Sequence, residues 1–256
     1  MKNMMIKTTF REIKGSFGRW FAILSIVALG VGFFSGLKVC KDDFVQTGDQ
    51  YITKHNLYNY ELMTTLGLED ADVEIIKATE GVKDAEGSYS TDAIISLEKD
   101  ENGEHVAKIH TISQKINTLS LKAGAMPTNP DEFVGDARYF TEEDIGSTFS
   151  ISSDNKKDTR EMFAYETYTL TGIVDSPVYL NFERGSPSLG SGTVTCYVYI
   201  PKEGWNSDVY TEIYVDFVEN HTIFSQEYET NDAIMKKRLE TAMEQCGQRR
   251  YDSIIQ

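Results

Sequence analysis

Four histidines and three cysteines are the side chains in this sequence best able to bind a metal or move a proton, and their spacing decides what chemistry is open to them. His55, His105, His110 and His221 stand far apart in polar surroundings, with no HxxxH or HExxH pair to hold zinc. They read as ordinary surface histidines. Cys40, Cys196 and Cys246 form no CxxC pair, and an odd number cannot close a full set of disulfides. Gly185-Ser186-Pro187-Ser188-Leu189-Gly190 has the outline of a nucleophile elbow. Yet a proline follows the first serine and no strand leads tightly into a helix, so the segment reads as a loop with no oriented base. The paired acids Glu142-Glu143 and Asp42-Asp43 are of the kind that solvate a face or cap a helix. Asn220-His221-Thr222 fits a glycosylation sequon, which matters only in a host that glycosylates exported proteins. Neither a phosphate loop nor a dinucleotide fingerprint occurs. The expectation is a protein that is not an enzyme, with no catalytic residue, no metal site and no cofactor.

Charge and apolar length carry more information than any motif. Formal net charge is -15, but Lys2, Lys7, Arg11, Lys14 and Arg19 against Glu12 give residues 1–19 a balance of +4, which leaves -19 for everything after Arg19. So acidic a body has no surface that would release the counterions condensed on phosphates, which excludes nucleic acid as a partner.

Residues 20–37 read WFAILSIVALGVGFFSGL, without a charge. At about 1.5 Å per residue the run covers roughly 27 Å, close to the hydrocarbon thickness of a bilayer. Trp20, Leu24, Leu29 and Leu37 supply apolar bulk, while Gly30, Gly32 and Gly36 permit close approach of another helix. A buried soluble helix would need a protein thick enough to hide every face. A cleaved signal would have a shorter apolar core and small residues at the cut, and Leu37-Lys38-Val39-Cys40 suits neither cleavage nor lipid attachment. The expectation is an uncleaved transmembrane helix over residues 20–39 in the cell membrane. The cations before it outweigh Lys38 and Lys41 after it, which keeps the N-terminus cytoplasmic and exports the rest. Within residues 1–19, Ile6, Phe10, Ile13 and Phe17 recur at helical spacing beside Lys7, Arg11 and Lys14. That pattern predicts an interfacial amphipathic helix whose basic residues, Arg19 included, meet anionic membrane lipid.

Elements must then be found for the exported part. Lys41 to His55 reads as a polar continuation of the spanning helix. Tyr58 to Met63 is the first strand candidate. Residues 68–80 place Glu69, Asp70, Asp72 and Glu74 where carboxylates complement a helix N-terminus, with Lys77 near the end and Gly81 as C-cap. Strands are predicted over Val82 to Leu97 and, after a hairpin signalled by Asn102-Gly103, over His105 to about Ile116. Phe149 to Ser152, Tyr168 to Val174, Val194 to Ile200 and Glu212 to Phe217 follow, separated by turn-rich stretches at 124–131, 153–158 and 184–192. Together these make a largely antiparallel α+β domain over residues 40–224. Met235, Leu239, Ala242 and Cys246 then recur at spacings of four, three and four, and Tyr251, Ile254 and Ile255 continue the pattern. Residues 225–256 are therefore expected to begin a coiled-coil-like helical arm.

Several stretches carry a resemblance. Phe10-Arg11-Glu12-Ile13-Lys14 through Arg19-Trp20 looks like the entry into the first spanning helix of FtsX-like ABC transporter permeases of the macrolide-exporter type. Leu119 to Glu132 is similar to that family's segment in which a strand leads to Gly-x-x-Pro and then an acidic residue. Gly124, Pro127 and Glu132 hold those places, and Ala125 stands where the family commonly has arginine. Ile145 to Phe149 and Tyr168 to Val174 resemble paired strands of the family's extracytoplasmic core domain, and Arg250-Tyr251-Asp252 resembles the opening of its long arm. The resemblance implies a permease that works with a cytoplasmic ABC ATPase and a second permease half. It also implies an exported domain that transmits ATP-driven motion in export or envelope remodelling, and that the chain is a fragment of a longer permease. The competing expectation is a single-pass anchored sensor or adhesion domain.

Overall fold

The computed structural model describes residues 2–98, 103–181, 184–189, 193–219 and 221–255. The chain divides into two compact units, residues 1–50 and 51–256.

In the first unit, α1 (Lys2–Gly15) is followed by Ser16, whose N–H and Oγ both turn back to the Glu12 carbonyl. The long helix α2 (Phe17–His55) begins at once. Its 39 residues span about 58 Å at the usual rise, so it outruns its own apolar segment and continues as a polar rod, as predicted for residues 41–55. None of its most apolar 18-residue window is buried. The side chains of Ile6 and Phe10, half of the predicted apolar stripe, lie outside the described residues.

The second unit holds the α+β domain. In chain order its elements are β1 (Tyr60–Leu68), α3 (Asp70–Lys77), β2 (Val82–Ser88), β3 (Ser90–Leu97), β4 (Glu104–Thr111), β5 (Ser120–Gly124) and β6 (Glu132–Asp136). A 3-10 turn (Glu142–Asp144), β7 (Thr148–Ile151), α4 (Lys157–Glu161), β8 (Thr167–Asp175) and β9 (Cys196–Ile200) follow. A second 3-10 turn (Lys202–Gly204), β10 (Tyr210–Phe217) and α5 (Gln226–Ile255) complete it.

Seven strands pair in the order β5-β8-β6-β9-β4-β3-β7, and β7 pairs back onto β8. Strands β8, β6, β9, β4, β3 and β7 thus close into a barrel, and β5 lies beside the second half of β8, past the end of β7. Closure removes the free edges that an open sheet would expose. Alternation fills the inside: Ala93, Ile95 and Leu97 from β3, Ala107 and Ile109 from β4, Phe133, Phe149, Leu170, Val198 and Ile200 share one core. Strand β9 is buried on both faces, because Tyr197 and Tyr199 join Val134 and Val174 in a second cluster outside the barrel. A smaller antiparallel sheet, β1-β10-β2, carries α3 and α5. Met235, Leu239, Ala242 and Cys246 of α5 are all buried, the four positions the helical spacing selects.

Several predictions from spacing need correction. Strand β1 starts and ends later than Tyr58 to Met63, and the helix after it is shorter, with Ala78 as its C-cap. Gly81 instead takes φ +96° beyond the helix, where the chain turns into β2. The expected strand Val82 to Leu97 is two strands, because at Tyr89 the chain leaves the small sheet for the barrel. Strand β6 and the single turn α4 carry too few residues to show a period. The sheet pattern is mostly antiparallel, with parallel exceptions at β4–β9 and β6–β8. Asn102, Gly190 and Asn220, the key residues of the hairpin, elbow and sequon readings, lie outside the described residues. From Gly185 to Leu189 there is neither helix nor strand, as a loop requires.

Candidate functional site

The site residues predicted from sequence are placed as follows. Lys7, Arg11 and Lys14 lie exposed on α1, and Arg19 lies on the first turn of α2. Trp20, Leu24, Leu29 and Leu37 are exposed along α2, and the Cβ positions of Gly30, Gly32 and Gly36 meet nothing within 4 Å. Among the described residues no three His, Cys, Asp or Glu side chains converge to hold a metal ion.

The residues of the Gly-x-x-Pro stretch form one local structure. Gly124, at φ +75°, faces Gly172 across the β5–β8 pair. A Cβ on Gly124 would strike the Thr171 carbonyl oxygen, and one on Gly172 would strike the Ala125 carbonyl oxygen. Glu132 closes the following turn. Its carboxylate accepts the Thr128 and Asn129 N–H groups at 2.7 and 3.0 Å, and these bonds hold it below the usual carboxylate range. What the motif residues do here is shape the backbone.

Within the second unit, the last turn of α2, residues 51–55, and helix α5 are both fastened at the small sheet. Helix α2 ends at His55, with Asn56 left-handed at φ +47°. The loop at 115–118 fastens this end: Thr118 N–H donates to the His55 carbonyl and Asn117 N–H to the Asn56 carbonyl, both at 2.8 Å, and the Asn56 side-chain amide donates to the Lys115 carbonyl. His55 Nδ1 lies 3.0 Å from the Thr118 carbonyl, and the ring is buried. Glu86 on β2 fixes the same loop by accepting the N–H groups of Gln114, Lys115 and Ile116. Asn59 then joins β10 twice. Its N–H donates to the Val215 carbonyl and its Oδ1 accepts the Phe217 N–H, each at 2.8 Å. The register Tyr60↔Val215 puts the start of β1 beside the end of β10, so the strand that follows α2 and the strand that precedes α5 are hydrogen-bonded neighbours.

Helix α5 is fastened along its length. The Tyr60 hydroxyl donates to Asp232 at 2.9 Å, Arg238 bonds the Glu80 carbonyl at 2.9 Å, and Arg249 bridges Asp72 and Glu69. Arg250 pairs with Glu69 as well. Asp72 also accepts the Glu69 N–H in the capping box of α3, so one carboxylate ties α3 to α5.

A buried polar cluster between barrel and small sheet is missing from the sequence reading. His110, on β4, is 5% exposed rather than a surface histidine, and it stacks on Tyr199. Its Nε2 lies 2.7 Å from the Tyr179 hydroxyl, while Nδ1 has no hydrogen-bond partner and stands 4.0 Å from Glu212 Oε1 on β10. Burial, with Lys108 adding to it, pushes the imidazole down to about 3, so it is neutral and the 4.0 Å approach is no ion pair at neutral pH. Glu212 accepts the Tyr214 hydroxyl at 2.6 Å, and burial raises it to about 7. Residues 176–181 and 184–189 cover this face. Arg184 grips Asp136 with two bonds and lies over the Tyr179 and Tyr197 rings, and Ser188 donates twice to Asp92. Alternation along β4 puts His110 with Lys108 on the outer face, but nothing in it says that the face is covered.

No protein-family model matches the sequence, and no curated protein does. Among solved structures, the chain is similar to the periplasmic region of MacB from Actinobacillus actinomycetemcomitans, with 14% identity, 70% of this chain and 75% of that one covered, and a TM-score of 0.39. It is also similar to the extracellular domain of the noncanonical ABC-type transporter YknZ from Gram-positive bacteria, with 11% identity, 66% of this chain and 80% of that one covered, and a TM-score of 0.40.

Proposed function

We propose that the chain serves in an FtsX-like ABC transporter permease as the exported, motion-transmitting domain, anchored by the apolar part of α2 with residues 1–19 on the cytoplasmic side. The observation that carries this reading is the convergence of α2 and α5 on adjacent strands of one small sheet. The hydrogen bonds at Asn56, Asn59 and Asp232 tie the end of α2 and helix α5 to the sheet within the second unit. Displacement of α2 then reaches β1 directly, and β10 and α5 through the ladder between them. The motif residues Gly124, Pro127, Glu132 and Gly172 support the family reading, since their fold-building role is one that a shared domain requires. On this reading the partners are membrane lipid, a cytoplasmic ABC ATPase and a second permease half, met through the stretch of α2 that carries Gly30, Gly32 and Gly36, of which Gly32 and Gly36 share one face. The chain itself performs no catalysis.

The test is reconstitution of residues 1–256, and separately of a complete permease containing them, with the ATPase encoded beside it. Only the complete permease should couple ATP hydrolysis to export. Export supported by residues 1–256 and the ATPase alone would overturn the reading.

A further inference from the structure

The cluster around His110 and Glu212 joins two bodies that share no strand ladder at that point. His110 belongs to the barrel, whereas Glu212 belongs to the central strand of the small sheet. Glu61 on β1 pairs with Tyr214 on β10 and so stands diagonal to Glu212 on the same face of the small sheet, which brings a second carboxyl group beside an imidazole nitrogen with no partner. Two carboxylates in contact away from water cannot both stay ionised without a nearby cation. The charged and titratable groups that face the site are Lys108 on β4, Asp92 on β3, Tyr199 on β9, Tyr58 ahead of β1, Tyr214 on β10, and Tyr179 and Arg184 on the covering segment. The two cations are already taken: Lys108 lies 3.5 Å from Asp92, and Arg184 is held by Asp136. A proton is the smallest ligand that neutralises the pair.

We propose that Glu61, Glu212 and His110 form a proton-binding latch between the barrel and the small sheet, closed while the carboxyl pair holds one proton and loosened when that proton leaves. In the closed form the pair carries a single negative charge, and the Tyr214 hydroxyl donates to Glu212. Loss of the proton to solvent leaves two facing carboxylates and an imidazole too buried to take up charge, and the junction relieves the repulsion by admitting water. The raised affinity of Glu212 for its proton agrees with this and places the change near neutral pH. The latch belongs to the folded domain whether or not the chain serves a transporter.

The experiment is hydrogen exchange on the full chain in detergent micelles at pH 6 and pH 8.5, with rates corrected for the intrinsic pH dependence of amide exchange. Peptides over β4 and β10 should lose about tenfold in protection at the higher pH, the change in opening constant expected when a group is protonated only in the closed form. Peptides over β8 should keep their protection. Glu212→Gln, which holds a neutral group of the same shape, should show equal protection at both pH values, and Glu61→Gln, which removes the repelling carboxylate but leaves Glu212 buried, should show a clearly smaller loss than the wild type. Should Glu212→Gln fail to fold, Glu61→Gln decides alone. Equal protection of the wild-type β4 and β10 peptides at both pH values would overturn the latch, as would a full tenfold loss in either Gln variant.

Discussion

Gly124 and Gly172 lie opposite each other where β5 meets β8, each hemmed in by a backbone carbonyl of the facing segment. Gly172→Ala forces a Cβ against the Ala125 carbonyl oxygen and should lower stability by about 2 kcal/mol, as overpacking does. Gly247→Ala, on the open side of α5, has nothing within 4 Å and should stabilise by up to about 1 kcal/mol. Urea unfolding of the two variants in the same detergent checks the contrast.

Asp136 and Arg184 are an ion pair with side chains only 2% and 6% exposed. Breaking it by Asp136→Ala strands a guanidinium against Tyr197 and should cost about 3–5 kcal/mol. The double variant Asp136→Leu with Arg184→Met removes both charges and should recover most of that loss. Chemical denaturation of the single and double variants measures the coupling.

Dependence of stability on pH follows from two opposed shifts. The Glu212 proton is held up to about 7 in the fold against 4.5 when exposed, so the folded state binds more protons between those values and its stability falls as pH rises. His110 is held down to about 3 against 6.5, so the unfolded state binds more protons between those values and stability rises with pH. From about pH 4.5 to 6.5 the two slopes oppose and the wild type should be nearly flat. Glu212→Gln leaves the histidine unopposed, and stability should then climb by about 1.4 kcal/mol per pH unit from pH 3 towards 6.5. Unfolding midpoints taken across this range would reveal the difference. A flat profile in Glu212→Gln would refute the assignment.

Insertion of α2 is open to direct test. Leu29→Arg should cost about 3 kcal/mol of insertion free energy at the centre of the apolar run. A glycosylation-reporter insertion assay reads that loss. Cys40 is exposed just past the apolar run, so a membrane-impermeant maleimide should label it from outside intact cells if the domain is exported. Labelling that requires lysis would reverse the proposed orientation.

The long helices and most strands are legible in the sequence because their signals are local. An uncharged apolar run needs no partner to be recognised, and Met235, Leu239, Ala242 and Cys246 announce their buried face by spacing alone. The path of the strands is not legible. Nothing near Val82 to Leu97 says that Tyr89 passes from one sheet to another, and β6 is too short to alternate. The same limit hides the candidate site. His55 sits among polar neighbours and is buried by a loop sixty residues later, and the β10 carboxyl group that faces His110 lies a hundred residues away. Residues brought together by long connections leave no periodicity behind.

The place of β10 between β1 and β2 sets a constraint on assembly. The first two strands of the small sheet are made early and do not pair with each other, so both wait for Tyr210–Phe217 to arrive. Strand β9, inserted between β4 and β6, imposes the same delay on the barrel. As a chain emerges from its N-terminus, neither sheet can be completed until most of the domain is out, which favours slow acquisition of structure and prolonged exposure of unpaired strand edges. Such a domain gains from any helper that shields nascent strands, and a product ending before residue 210 would present β1 and β2 to every passing edge.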